Sequence, residues 1–145
     1  MSYNTLVTAQ TYFDAYKLYA DAWDDAEAAD QVKALNMAYN IIEKLPLNGY
    51  RTSSGQAAQF PRNGETTVPT DILAAEAEMA YALLDGIDPE SEARQNEVQS
   101  ATFTSIKTTY GVHGLWRAYG IPSAIAWKYI VQYVAFSDVI QISKV

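Results

Sequence analysis

The residue types that carry out chemistry are few in this chain and badly spaced for it. The one histidine, His113, lies between Gly111 and Gly114, and the chain has no cysteine. With no second imidazole and no thiolate to join it, His113 reads as a structural or solvent-exposed side chain rather than a metal ligand. The sequence has no Gly-rich loop ending in Gly-Lys-Ser/Thr, no His-Glu-x-x-His and no Gly-x-Ser-x-Gly elbow, and no nucleophile is paired with a base. Carboxylates are abundant, but they scatter along what read as solvent faces. The acidic run "DAWDDAEAAD", residues 21–30, reads as a wet helix face before it reads as a cation site. The expectation is a protein that is not an enzyme and holds no cofactor and no metal.

Recognition chemistry is better represented. "QFPRNG", residues 59–64, sets a large apolar ring, a proline and a guanidinium side by side in a stretch otherwise built for turning. It belongs to a long Pro-, Gly-, Ser- and Thr-rich segment over residues 46–68, where Leu47, Tyr50 and Phe60 need somewhere to pack. That marks an ordered loop rather than a linker.

The elements that must position this loop are helical. Thr8 is the expected N-cap of a first helix, in which Tyr12, Tyr16, Tyr19 and Trp23 share one face, with a break near Tyr19. That stripe reads as core. Asp30 is the expected cap of a second helix with Val32, Leu35, Tyr39 and Ile42 buried, stopped by Pro46. Pro69 opens a third helix, Asp71 complements its N-terminal dipole and Gly86 ends it; its alanines invite close approach on two sides. Residues 98–110 turn β-branched and polar, an extended arm or hairpin carrying Phe103, Ile106 and Tyr110. After Gly120 a fourth helix runs to about Phe136, with one stripe of Ala124, Trp127, Val131 and Val134 and a second of Ala126, Tyr129, Tyr133 and Phe136. Being apolar on nearly every side, it is expected to be central or shared with another subunit. The last residues alternate at strand period, with Val139, Ile140, Ile142 and Val145 available for docking. The expected fold class is mainly α: a small bundle of about four helices, residues 1–136 forming one domain, with an extended loop or β arm and an extended tail over residues 137–145.

Composition narrows the partners. The 145 residues, about half of them hydrophobic, suit one domain with a real core. Ten Lys and Arg against 17 Asp and Glu give a formal charge of −7, which disfavours tight binding to a phosphate backbone. The N-terminal stretch lacks a basic start followed by an apolar run, and no segment approaches the roughly 20 apolar residues of a membrane span, so neither secretion by that signal nor membrane insertion is expected. The absence of cysteine suits a reducing cytoplasm.

The order of these segments matters as a whole: "ALNMAYNIIEKLPLNGYR", "QAAQFPRNG", "VPTDILAAEAEMAYALLDG", a Thr/Ser-rich extended stretch, then "GIPSAIAWKYI". It resembles the small head-to-tail connector (adaptor, or head-completion) proteins of tailed bacteriophages, the group often labelled DnaT-like. The resemblance covers nearly the full chain, and its sharpest element is Phe60-Pro61-Arg62 followed by Val68-Pro69 opening an Ala-rich helix. It implies a homo-oligomeric ring, usually of twelve subunits, in the virion neck. Such a ring is assembled in the host bacterial cytoplasm, binds the portal protein on one side and a tail or second connector protein on the other, and lets genomic DNA through without gripping it. In that setting Phe60 would anchor the loop, Pro61 would fix its direction, and Arg62 would reach a fixed carboxylate or carbonyl, in its own subunit or a neighbour's. The arm and the tail could each add to a partner's sheet. The same family label, taken literally, implies instead a replication-restart factor that binds single-stranded DNA. Against that, "YFDAYKLYADAW" offers the rings but sets Asp14, Asp21, Asp24 and Asp25 against Lys17 alone.

Overall fold

The structure, a computed structural model, describes residues 1–92, 94 and 115–136. The expected arm residues Phe103, Ile106 and Tyr110, His113, and the tail residues Val139, Ile140, Ile142 and Val145 lie outside the described residues. Within them the chain is mainly helical: α1 (Leu6–Tyr16), α2 (Asp21–Asp24), α3 (Ala28–Glu43), α4 (Thr70–Leu84), α5 (Leu115–Ala118) and α6 (Ala124–Ile130), the last continued by a 3₁₀ turn over Val131–Tyr133. Four of these have seven residues or more, the expected number for the bundle. Among the described residues β pairing is limited to two isolated antiparallel bridges, Leu47 with Val134 and Arg51 with Arg62.

α4 is the axle. It packs against α1, α2, α3 and α6, and it can do so because Ala74, Ala75, Ala77, Ala80 and Ala82 are all buried, leaving room for backbones to approach on several sides. Ile72 and Met79 are fully enclosed within it. Pro69 is its N-cap, Asp71 lies in its first turn, and Gly86 follows its end with φ +93, a left-handed conformation that glycine adopts without steric cost. The surrounding core is completed by Phe13, Trp23, Leu35, Ile42, Phe60, Ile121, Ile130 and Val134.

Several boundaries and faces differ from the sequence reading. α1 is capped by Thr5, not Thr8: the Thr5 hydroxyl accepts from the Thr8 amide, and Thr8 returns its hydroxyl to the Thr5 amide, a reciprocal box with threonine in the place usually held by Glu or Gln. α3 starts after Glu27 rather than at Asp30, because Ala28 and Ala29 are strong helix formers and extend the helix backwards; Asp30 sits in the first turn beside Lys33. Val32, expected inside, is exposed, and the buried face runs through Ala34, Leu35, Ala38, Tyr39 and Ile42.

The aromatic stripe is cut short. Tyr16, the last residue of α1, is 77% exposed; Lys17 then turns to extended backbone, which leaves Tyr19 equally exposed while Trp23, carried in by α2, is completely buried against Phe13. α6 is likewise shorter than its apolar run. It has seven residues, Ser123 caps it through the Ala126 amide, Ala124 is exposed, and the buried set is Ala126, Trp127 and Ile130.

Two carboxylates are not on a solvent face at all: Glu76 and Glu78 are buried in α4. They stand ~200° apart around the helix and meet different neighbours. Glu78 accepts from Lys17 Nζ at 2.9 Å and from the Tyr12 hydroxyl at 2.8 Å, with the ammonium also 4.2 Å from the centre of the Tyr81 ring; this pair fastens the end of α1 to the axle. Glu76 holds the segment before α1. Its Oε1 accepts from Ser2 Oγ, the Asn4 amide and Asn4 Nδ2, and its Oε2 from the Tyr3 amide. Burial raises the Glu76 pKa above the ordinary carboxylate value, and the four donors act in the opposite direction without cancelling it.

Candidate interaction surfaces

The loop over residues 46–68 is built from three of the residues singled out by sequence. Phe60 is inside, 2% exposed, with its ring edge-on to both Tyr3 and Tyr133, so it ties the loop to the N-terminal segment and to the turn after α6. The Phe60–Pro61 peptide is cis. The Pro61 carbonyl accepts from the Thr52 amide and from Gln56 Nε2, which folds the two limbs of the loop together.

Arg62 is buried and closes the loop from within. Its Nε donates to the Asn48 carbonyl at 3.0 Å, one terminal nitrogen to the Gly49 carbonyl at 2.9 Å, and the other to the Gln59 side-chain oxygen at 2.7 Å and the Gln59 carbonyl at 3.3 Å. The fork therefore satisfies backbone acceptors and touches no carboxylate. At Gly49, φ +77 and the Asn63 side chain, whose oxygen lies 1.9 Å from where a Cβ would stand, leave room only for glycine.

A polar network that the sequence did not reveal backs this loop. The Tyr3 hydroxyl donates to Glu43 and accepts from the Phe60 amide, and Glu43 also accepts from the Gln59 amide. Burial first, and then the hydrogen bond to Glu43, hold the Tyr3 hydroxyl far above the usual phenol pKa, so it remains a donor. Burial likewise raises Tyr133. No signal short of the fold could pair Tyr3 with Glu43 and Phe60, which lie 40 and 57 residues away.

A groove of ≈ 430 Å³ opens elsewhere, between α1 and the start of α4. Thr8, Tyr12, Ala15 and Tyr16 form one wall, Leu73 and Ala74 the other, with Tyr129 of α6 and Asp71 at its margin. Tyr16 of this wall is itself exposed, and Leu18, at 87% exposure, and Tyr19 follow it in the chain as further exposed apolar side chains.

Most of the described cations contact an acceptor within the chain. Lys17 is spent on Glu78, Lys33 on Asp30, Arg94 on Glu90, Arg62 on carbonyls, and Arg117 lies 3.3 Å from Glu92. Among the described residues Lys44, Arg51 and Lys128 have no ion-pair partner. Asp21, Asp25, Asp30 and Asp85 line a shallow acidic depression, and no group of three His, Cys, Asp or Glu among the described residues is gathered closely enough to hold a metal ion. No helix among the described residues is long and apolar enough to cross a membrane.

Residues 1–128 match the model of a family described as "Putative DnaT-like ssDNA binding protein". The chain belongs to this DnaT-like family. The match takes in α1 to α4, the Phe60-Pro61-Arg62 loop and most of α6, so the DnaT-like body is the helical bundle itself. No curated protein matches this DnaT-like chain, and neither does any solved structure.

Proposed function

We propose that this DnaT-like protein is a structural, non-catalytic subunit of the head-to-tail connector of a tailed bacteriophage. It forms a homo-oligomeric ring, of about twelve copies by resemblance, in the virion neck between the portal protein and a tail or second connector protein, and genomic DNA passes through it. The observation that carries the reading is the internal use of the cations. A protein that grips nucleic acid keeps lysines and arginines free along a groove. Here Arg62 is buried on carbonyls of its own loop, and Lys17, half-buried beside the exposed tyrosines, is paired with Glu78 within the subunit. A net acidic body suits a passage through which a polyanion slides. The exposed Tyr16, Leu18 and Tyr19 offer apolar contact to protein neighbours.

The family description favours a second reading, binding of single-stranded DNA, and among the described residues exposed Tyr50 adjoins Arg51, a cation without an ion-pair partner. Two measurements separate the readings. Negative-stain imaging of the protein with purified portal is expected to give portal-bound rings. A gel shift with a single-stranded oligonucleotide at physiological salt is expected to give no retained complex; micromolar, salt-sensitive binding with no ring on the portal would replace the connector reading by the DNA-binding one.

A further inference from the structure

The groove between α1 and α4 and the residues beyond Phe136 answer each other. On α6, Trp127 and Tyr129 are two residues apart and therefore point ~200° away from one another. Tyr129 lines the groove. Trp127 faces the other way, stacked on Tyr119 with Phe136 against its edge.

Between the two, the chain crosses over. Gln132 still donates to Asp71 at the groove margin; the Asn48 amide then donates to the Tyr133 carbonyl and the Ala135 amide to the Pro46 carbonyl, which pins the chain as it passes to the Trp127 side. The last described residue, Phe136, thus lies on the Trp127 side of α6, away from Tyr129. A groove on one side and a chain continuing from the other suit head-to-tail association, the kind that closes rings.

We infer that the groove receives residues 137–145 of a second copy of this chain; the inference rests on the connector reading and supplies its subunit contact. The chemistry matches. Nine residues reach ~30 Å when extended, enough to leave one body and cross the face of the next. Ile140 and Ile142 fall on one side of an extended chain. They meet a trough walled by Tyr12, Ala15, Leu73 and Ala74, while Lys144 complements Asp71.

The test uses two full-length variants. Ala15→Arg fills the groove from an exposed position, and Ile142→Asp spoils the segment. In sedimentation velocity the wild type is expected to self-associate and each variant alone to run as a monomer. An equimolar mixture should form a heterodimer, since one copy retains the groove and the other the segment. A mixture no heavier than its components overturns the inference.

A labelled peptide of residues 137–145 is expected to bind Ile142→Asp at least tenfold more tightly than the double variant. Equal binding overturns the inference, and so does a wild type that stays monomeric and excludes the peptide, because the segment then fills its own groove. Imaging both variants on purified portal keeps the two levels apart. Variants that still form rings sink the groove contact and leave the connector reading standing.

Discussion

Arg62→Ala is the substitution whose cost can be worked most directly from the geometry. The guanidinium spans two limbs of the loop, donating at 3.0 Å to Asn48 and 2.9 Å to Gly49, while its bonds to Gln59 stay local. A hydrogen bond from a charged group is worth about 1.5–3 kcal/mol. Two cross-limb bonds at the low end give about 3 kcal/mol, and the low end is appropriate because the loop lies at the surface, where water can reach orphaned carbonyls. For a chain of this size 1 kcal/mol moves Tm by about 2–4 °C, so the melt should fall by about 6–12 °C. Arg51→Ala, an exposed arginine in the same loop, is the control and should stay within about 0.5 kcal/mol. Arg62→Lys should recover only part of the loss, since an ammonium cannot serve both carbonyls in the plane of a fork. The assay is thermal and urea unfolding followed by circular dichroism. An Arg62→Ala melt indistinguishable from that of Arg51→Ala, or full recovery by lysine, would refute the closure of the loop by this fork.

Glu76, with its pKa raised by burial, binds its proton more tightly folded than unfolded, so stability should fall as pH rises from the ordinary carboxylate pKa to the folded one. Urea midpoints across that window should show the slope in the wild type and lose it in Glu76→Gln. Lys17→Met should cost about 3 kcal/mol by leaving Glu78 buried with the Tyr12 hydroxyl alone, and adding Glu78→Gln should return most of it in a double-mutant cycle. Gly49→Ala should destabilise by about 1–3 kcal/mol in the same unfolding assay, because its φ of +77 is strained for alanine and the new Cβ meets Asn63.

The third expected helix was the most legible part of the fold, because proline, aspartate and glycine punctuate α4 at the positions their backbone and dipole preferences require. The aromatic face of α1 was misread for a geometric reason. Tyr19 and Trp23 keep helical spacing with Tyr12 in the sequence, but the backbone leaves the helix at Lys17, and spacing has no meaning beyond that point; Tyr16, in the last turn, is itself exposed. In the loop, residue type announced that Phe60 and Arg62 were special. Their partners are a tyrosine 57 residues earlier and backbone carbonyls 13 and 14 residues before Arg62, which no local pattern encodes. Glu76 and Glu78 were hidden for the same reason: "AEAEM" reads as a wet edge until residues 2–4, 12 and 17 arrive from far up the chain.

The axle role of α4 sets the order in which the molecule can come apart. Four helices lie against it, so none of its buried backbone amides is freed by the loosening of a single neighbour. Deuterium should enter α4 only through whole-molecule unfolding, at a rate set by the global free energy, whereas α1 and α6, each lying on one side of it, can open in smaller steps. The bundle should thus behave as a single cooperative unit around its most alanine-rich helix, with the slowest-exchanging protons gathered between Ala74 and Ala82.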